Sequence, residues 1–154
     1  METAKSILER LRTQLSSLAA LLEGIPRGDL DRRVQSKWSV AENVAHLARH
    51  TELTIERVRR ILAEEEPVFP AYRAEEDPEW AAWQSRSFED SMRRLQDSRA
   101  ALIAAVEALT PEELARTGRH ARLGRLSLRA WLDFYLVHEG HHLYVITRRA
   151  RGLE

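Results

Sequence analysis

The sequence predicts an all-α protein built as a four-helix bundle. Four segments of the 154-residue chain carry apolar side chains at three- and four-residue steps, the spacing of an amphipathic helix, and no segment alternates as a strand would. Apolar residues make up 44% of the chain and charged residues 31%. This balance is typical of one globular domain, which we expect to span residues 1–154, and four amphipathic helices can bury their apolar faces around one core.

The first two predicted helices have clear boundaries. The first runs from about Thr3 to Glu23 and ends at the sequence GIPRGD, where two glycines and a proline break the pattern. The second begins after Ser39 and continues to about Glu65. Ser39 can accept a hydrogen bond from the free backbone of the first turn while Glu42 reaches back, which is a capping box.

A long connection separates the second predicted helix from the third. Its sequence, EEPVFPAYRAEEDPEWAAWQSR, contains three prolines, so it cannot be one continuous helix. The third helix begins near the sequence SFED and continues to Leu109, and the sequence GRHARLGRL that follows is predicted to be a polar loop with His120 solvated. Ser127 is then placed to cap the fourth helix, which is predicted from Leu128 to Arg149.

The composition excludes several classes of function. The chain has no cysteine, so disulfides, thiolate nucleophiles and sulfur-bound zinc are ruled out, and any metal must be held by histidine or carboxylate. Acidic and basic residues balance at 24 each, which gives no general field for nucleic acid. No apolar run is long enough to cross a bilayer and the N-terminus lacks a signal-peptide pattern, so we expect a cytoplasmic protein without a membrane partner.

Histidines spaced four apart predict a metal site. In a helix, His138 and His142 lie on the same face and can reach one ion, whereas His141 points toward solvent. A catalytic zinc usually has three protein ligands and one open position. The second helix offers His46 or His50, which are also four apart, and the spacing alone does not choose between them.

The sequence HEGHH at 138–142 also fits the zinc-protease pattern H-E-x-x-H. In the common proteases of that kind the third ligand lies well downstream of the motif, where only Glu154 remains here as an acidic or histidine side chain. The peptide is held against a sheet edge, which is not predicted, so peptidase activity is not expected. Glu139 falls near the middle of the apolar face, where a carboxylate must be paired. It is expected to orient a histidine, to act on metal-coordinated water, or to reach the edge of the bundle.

Two segments, KWSVAENVAHLARH and LGRLSLRAWLDFYLVHEGHHLYVITRR, resemble the DinB-like superfamily of helical bundles. The shared features are a Trp-Ser pair before a helix, a His-Leu pair within it, a glycine and then a serine before the last helix, and H-x-x-x-H there. The resemblance covers residues 1–150. It implies a four-helix bundle in the order up-down-down-up, with a long crossover such as the stretch from Glu66 to Pro78, and it implies a homodimer.

The resemblance also implies the metal ligands. They are His46, from the His-Leu pair, with His138 and His142 of the last helix, so that His50 becomes a neighbour that could line the open position. Zinc or nickel is expected first, and manganese or iron would also accept imidazole. The family includes thiol-dependent transferases and proteins described as metal-dependent hydrolases.

The predicted function is therefore a metal-dependent enzyme acting on a small molecule. Transfer with a low-molecular-weight thiol is placed ahead of hydrolysis, in which Glu139 or His50 would move protons. Arg57 and Arg149, on the same flanks as the histidines, are predicted to bind carboxylates of the thiol or substrate. A non-catalytic metal-binding stress protein is the third hypothesis. Three aromatic residues of the connection could cover the site or pack the bundle end: Tyr72, Trp80 and Trp83.

Overall fold

The computed structural model describes residues 2–153, with side chains from Lys5, and shows a bundle of four long helical segments. The α-helices of these residues are, in chain order, α1 (Glu2–Thr13), α2 (Ser17–Leu22), α3 (Arg27–Leu30), α4 (Val40–Ala63), α5 (Trp80–Gln84), α6 (Phe88–Glu107), α7 (Pro111–Ala115) and α8 (Leu128–Arg151). A short 3-10 turn joins α1 to α2, so these two helices form the first segment of the bundle. The other three segments are α4, α6 and α8.

Side-chain contacts between the helices give their directions. Between α4 and α8 the contacts are Asn43–His142 and Thr51–Tyr135. Between α1 and α8, Arg10 contacts Asp133, and Gln14, just beyond α1, contacts Glu139. Hence α8 is antiparallel to α4 and parallel to α1. The contact of Arg12 in α1 with Glu107, and that of Arg27 in α3, just after the first segment, with Glu89, make α6 antiparallel to the first segment. The order is therefore up-down-down-up, as predicted, and the connection between α4 and α6 is the crossover that joins two parallel helices.

The long helices begin at the predicted capping residues. The Ser39 hydroxyl accepts from the backbone N–H of Glu42 (3.1 Å), and the Glu42 carboxylate accepts from the backbone N–H of Ser39 (2.9 Å), which completes the capping box of α4. Ser127 accepts in the same way from Ala130 at the start of α8. Because caps and periodicity are local, the boundaries of all four long segments agree with the predicted ones within two residues.

The prediction that the chain contains no strand was wrong. Three short strands, β1 (Val68–Phe69), β2 (Thr117–His120) and β3 (Gly124–Ser127), form a small sheet in which β1 is parallel to β2 and β2 is antiparallel to β3. Strands of two to four residues are too short for an alternating pattern to be visible in the sequence. Through the pairing of β1 with β2, the sheet joins the crossover by hydrogen bonds to the segment before α8.

His120 is not solvated, contrary to the prediction. Its side chain is buried at the end of β2, where its Nδ1 atom accepts hydrogen bonds from the backbone N–H groups of Arg122 and Leu123, each over 3.1 Å. The imidazole therefore stabilises the turn between β2 and β3. A polar loop was predicted from its arginines, and the tertiary contact that orders it has no local signature.

The outer face of α8 carries three exposed apolar side chains at helical spacing: Phe134, Val137 and Tyr144. The homodimer that the family resemblance implies stays a prediction. Within residues 2–153, no helix combines the length and the apolar character that crossing a bilayer requires.

Candidate metal centre

Three histidines meet between α4 and α8. His46 of α4 faces His138 and His142 of α8, and each offers a ring nitrogen such that these nitrogens all lie within 4.8 Å of one another. The Nε2 atoms of His46 and His138 are 3.1 Å apart. Zinc–nitrogen bonds of about 2.0–2.1 Å in a tetrahedral site place neighbouring ligand atoms about 3.3 Å apart. The antiparallel packing of α4 on α8 thus gathers three ligand nitrogens around one point, with the His46–His138 pair near the tetrahedral spacing.

Asn43 determines which nitrogen of His142 faces the other two histidines. The Nδ1 atom of His142 lies 2.8 Å from Oδ1 of Asn43. The Asn43 amide nitrogen donates to the Ser39 carbonyl over 2.8 Å, so its oxygen is the atom turned toward His142 and must accept. His142 therefore donates from Nδ1 and keeps the lone pair on Nε2 for a metal.

Burial keeps the three imidazoles neutral. Burial, together with smaller effects of neighbouring imidazoles and, for His138, of Arg57, lowers the pKa of His46 to about 3, that of His138 to about 4 and that of His142 to about 2. Neutral imidazole is the form that binds a metal, because a protonated ring has no free lone pair on the nitrogen concerned. At neutral pH the site thus presents three ligand nitrogens without first losing protons.

His50 lies beside the triad without belonging to the group of possible ligands, which within the described residues is His46, His138 and His142. The centre of the His50 ring is 3.9 Å from that of His138 and 5.9 Å from that of Tyr135. The planes of the His50 and Tyr135 rings are nearly parallel. Burial lowers the pKa of His50 well below its usual value. Of the two histidines that the spacing left open, the packing of α4 on α8 brings His46 into the group of possible ligands.

The model of the DinB superfamily matches residues 10–146 of the chain. The chain belongs to the DinB superfamily. A relative from Oceanobacillus iheyensis, named provisionally as a metal-dependent hydrolase, is 27% identical over 112 residues, which are 71% of this chain and 63% of the relative. The chain therefore spans less than two thirds of the length of that relative.

Two solved structures are similar to this DinB-superfamily chain. One is YfiT from Bacillus subtilis, described provisionally as a metal-dependent hydrolase with an unusual four-helix bundle topology; its TM-score is 0.83 at 23% identity, over 99% of this chain and 89% of that one. The other is TT2238, a four-helix bundle protein, with a TM-score of 0.67 at 25% identity, over 92% of this chain and 95% of that one. These similarities show that the fold is the four-helix bundle of this superfamily.

An aromatic wall surrounds the histidines of this DinB-superfamily bundle. The ring centre of Trp38 lies 4.9 Å from those of both His46 and Trp80, and the ring centre of Tyr72 lies 5.8 Å from those of His46 and His50. Two of the three aromatic residues expected to cover the site or pack the bundle end, Tyr72 and Trp80, thus border the triad. The third, Trp83, packs instead with Arg86 and Arg94. The place of Trp38 beside His46 was not predicted, because it depends on how the segment before α4 packs against Trp80 of α5.

Glu139 is fully buried, and its partners come from three helical segments. It forms an ion pair with Arg99 of α6 and accepts hydrogen bonds from Gln14 (3.0 Å) and from the Tyr135 hydroxyl (3.2 Å). The Glu139 carboxylate is therefore paired, as expected for a charged group in the middle of the apolar face. The catalytic role proposed for Glu139 stays a prediction.

The two predicted ligand-binding arginines lie in different surroundings. Arg149 donates from Nε to the Trp38 carbonyl over 3.1 Å, so it holds the segment before α4 that carries Trp38. Arg57 lies with its guanidinium carbon 5.3 Å from the centre of the Trp131 ring and lines a cavity between α4 and the crossover. Their roles in binding a thiol or a substrate stay predictions.

Proposed function

We propose that the protein is a metal-dependent hydrolase of small molecules, with His46, His138 and His142 as the ligands of its metal. The observation that carries the proposal is that one ring nitrogen from each of the three histidines lies within 4.8 Å of the others. No fourth side chain of the described residues joins this group of possible ligands. Three protein ligands with room for water and substrate are the pattern of catalytic zinc sites, whereas structural sites are closed by four. Zinc or nickel suits the three imidazoles, and manganese or iron is the alternative.

The residues present fit such a metal. All three ligands are neutral, and the hydrogen bond to Asn43 orients His142, which is the usual way in which proteins position a metal-binding imidazole. When bound, a divalent metal lowers the pKa of the water it coordinates to about 7 and so makes a nucleophile available at neutral pH. The names of the Oceanobacillus and Bacillus proteins support hydrolysis as the reaction class.

In this proposal His50 moves the proton. Its Nδ1 atom is buried and has no hydrogen-bond partner among the described residues, and its ring is in contact with that of His138. A proton that this nitrogen takes from the attacking water would pass readily to the leaving group, because burial disfavours the charged ring. Glu139 then acts as a positioning residue: it holds the Tyr135 hydroxyl, and the ring of Tyr135 stacks on that of His50.

Thiol transfer, which the family resemblance placed first, is the second candidate. The observation that favours it is the wall of Trp38, Tyr72 and Trp80 around neutral imidazoles. Such low-polarity surroundings strengthen the attraction between a metal and a thiolate. A non-catalytic metal-binding stress protein is the third, and it would require a fourth protein ligand to close the site.

The test is a comparison of ester hydrolysis with thiol addition by the same protein. Metal-free protein is reloaded with zinc, nickel or manganese and offered 4-nitrophenyl esters, or an electrophile together with a low-molecular-weight thiol. We expect metal-dependent ester hydrolysis that is lost in His138→Gln and kept in His141→Gln, which changes an exposed histidine on the same helix. Turnover only with thiol would establish the second candidate. Metal binding without turnover of either kind would contradict both enzymatic proposals.

A further inference from the structure

A cavity of about 410 Å³ lies between α4 and the crossover segment. Its wall includes apolar side chains, Leu53 and Phe69, together with Tyr72 and four arginines. Pockets for small organic ligands have volumes of about 300–1,000 Å³ and combine apolar walls with a few polar groups. The cavity is therefore large enough for a small molecule, and the charged residues that line it indicate the charge of that molecule.

One charge of the cavity wall has no counter-ion. The other charged side chains that line the cavity are all paired: Arg49 with Asp77 (2.8 Å), Arg60 with Glu64 (2.7 Å), Arg73 with Glu76 (3.2 Å) and Glu56 with Arg59 (2.7 Å). Arg57 forms no ion pair with any side chain of residues 5–153 and is half-buried against Trp131. A partly desolvated guanidinium without a carboxylate is costly, and an anionic ligand would offset that cost.

The cavity adjoins the metal centre. Tyr72 lines it and also has its ring centre 5.8 Å from those of His46 and His50. Arg57 and His50 together border a second, smaller void on the inner side of α4. A molecule bound to Arg57 by one end could therefore reach past Tyr72 toward the triad with its other end.

We infer that this cavity binds a small organic carboxylate, with the carboxylate on Arg57 and the apolar part of the molecule against Leu53, Phe69 and Tyr72. The inference rests on the proposed function, because the reacting end of the substrate is placed at the triad. A carboxylate matches the planar fork of a guanidinium and carries one charge. A phosphate monoester carries nearly two charges, of which Arg57 would neutralise only one.

The test is calorimetric titration of the zinc-loaded and the metal-free protein with phenylacetate, phenylacetamide and phenyl phosphate. The metal-free protein is needed because a carboxylate can also bind a metal directly. The variants are Arg57→Gln and, as a control, Arg119→Gln, which changes an exposed arginine outside the cavity that has a counter-ion in Glu66. We expect phenylacetate to bind wild type and Arg119→Gln alike and Arg57→Gln about tenfold or more weakly, since a charge-assisted hydrogen bond is lost.

Three results would overturn the inference. They are equal binding of phenylacetate by wild type and Arg57→Gln, binding of phenylacetamide as tight as that of phenylacetate, and tighter binding of phenyl phosphate than of phenylacetate. Zinc titrations of the same proteins separate this inference from the proposed function. If the protein binds zinc but does not distinguish phenylacetate from the other ligands, only this inference is overturned. If it binds phenylacetate through Arg57 but binds no zinc, the proposed function is overturned and the anion site remains.

Discussion

The Nδ1 atom of His142 donates a hydrogen bond to Oδ1 of Asn43 over 2.8 Å, and this contact sets which nitrogen His142 turns toward the triad. Asn43 is itself held by the backbone of its own helix through the Ser39 carbonyl. A metal ligand of α8 is thus oriented from the first turn of α4. Substitution of residues that orient ligands in this way typically weakens metal binding.

We predict that Asn43→Ala weakens zinc binding by about 10- to 100-fold, because His142 loses the acceptor that selects its tautomer. Competition titration against a chelator of known affinity measures the change. Asn43→Asp keeps an acceptor and should retain the affinity. Ser39→Ala is the control for lost stability: it removes a helix cap at a cost of about 1 kcal/mol and should leave zinc affinity unchanged. An unchanged affinity in Asn43→Ala would show that Asn43 does not orient the ligand.

The ion pair between Arg99 and Glu139 is buried, and we predict that it is sensitive to the loss of one partner. Arg99→Met should lower the free energy of unfolding by about 3–5 kcal/mol, because it leaves a carboxylate buried without its counter-ion. The double variant Arg99→Met/Glu139→Leu should recover most of that loss. Urea unfolding measures both. The control is Arg27→Met, which breaks the exposed pair with Glu89 and should cost at most about 1 kcal/mol. Similar losses in the buried and the exposed variants would contradict the prediction.

The stability of the metal-free protein should fall as the pH decreases below about 6.5. In the folded protein burial lowers the pKa of His46 to about 3 and that of His138 to about 4, whereas both have a pKa of about 6.5 when unfolded. Between these values the unfolded chain binds more protons, so acid favours unfolding. The destabilisation is absent well above pH 6.5 and grows progressively as the pH falls toward the folded pKa values of about 4 and 3. Urea unfolding between pH 8 and pH 5 tests this, and a variant with glutamine at His46, His138 and His142 should show a flatter profile.

Substitution of alanine for each of two glycines should change the free energy of unfolding in opposite directions. Gly140 lies inside α8, and a Cβ atom there meets nothing within 4 Å, so Gly140→Ala should raise the free energy of unfolding by about 0.5–1 kcal/mol. A Cβ atom on Gly118 of β2 would lie 3.0 Å from side-chain atoms of Ile61 and Phe69. Gly118→Ala should therefore cost about 1–3 kcal/mol by overpacking. Thermal or urea unfolding gives both values, and changes of the same sign would contradict the packing described here.

The helices could be predicted from the sequence because their signals are local, whereas their up-down-down-up order was implied only by the resemblance to DinB-like proteins. Ser39 with Glu42, and Ser127 before α8, mark helix starts within a few residues of chain, and periodicity marks the buried faces. The short strands could not be predicted, since each is ordered by pairing with residues far away in the sequence.

The candidate site could be predicted only in part. Histidines four apart indicate ligands on one face of a helix, but the choice between His46 and His50 depends on how α4 crosses α8. The resemblance to DinB-like proteins chose His46, in agreement with the structure. Asn43 and Arg99 were missed as partners of His142 and Glu139, because these pairs join different helices and leave no pattern along the chain.

The central claim is that His46, His138 and His142 bind one metal ion. The most direct measurement is elemental analysis of wild type, His138→Gln and His141→Gln after each has been offered zinc, nickel and manganese and then dialysed. We predict about one equivalent of metal in wild type and in His141→Gln, whose changed side chain is exposed, and none in His138→Gln while its helical content is retained. A wild type that stays empty, or a His138→Gln protein that holds as much metal as the wild type, would contradict the account.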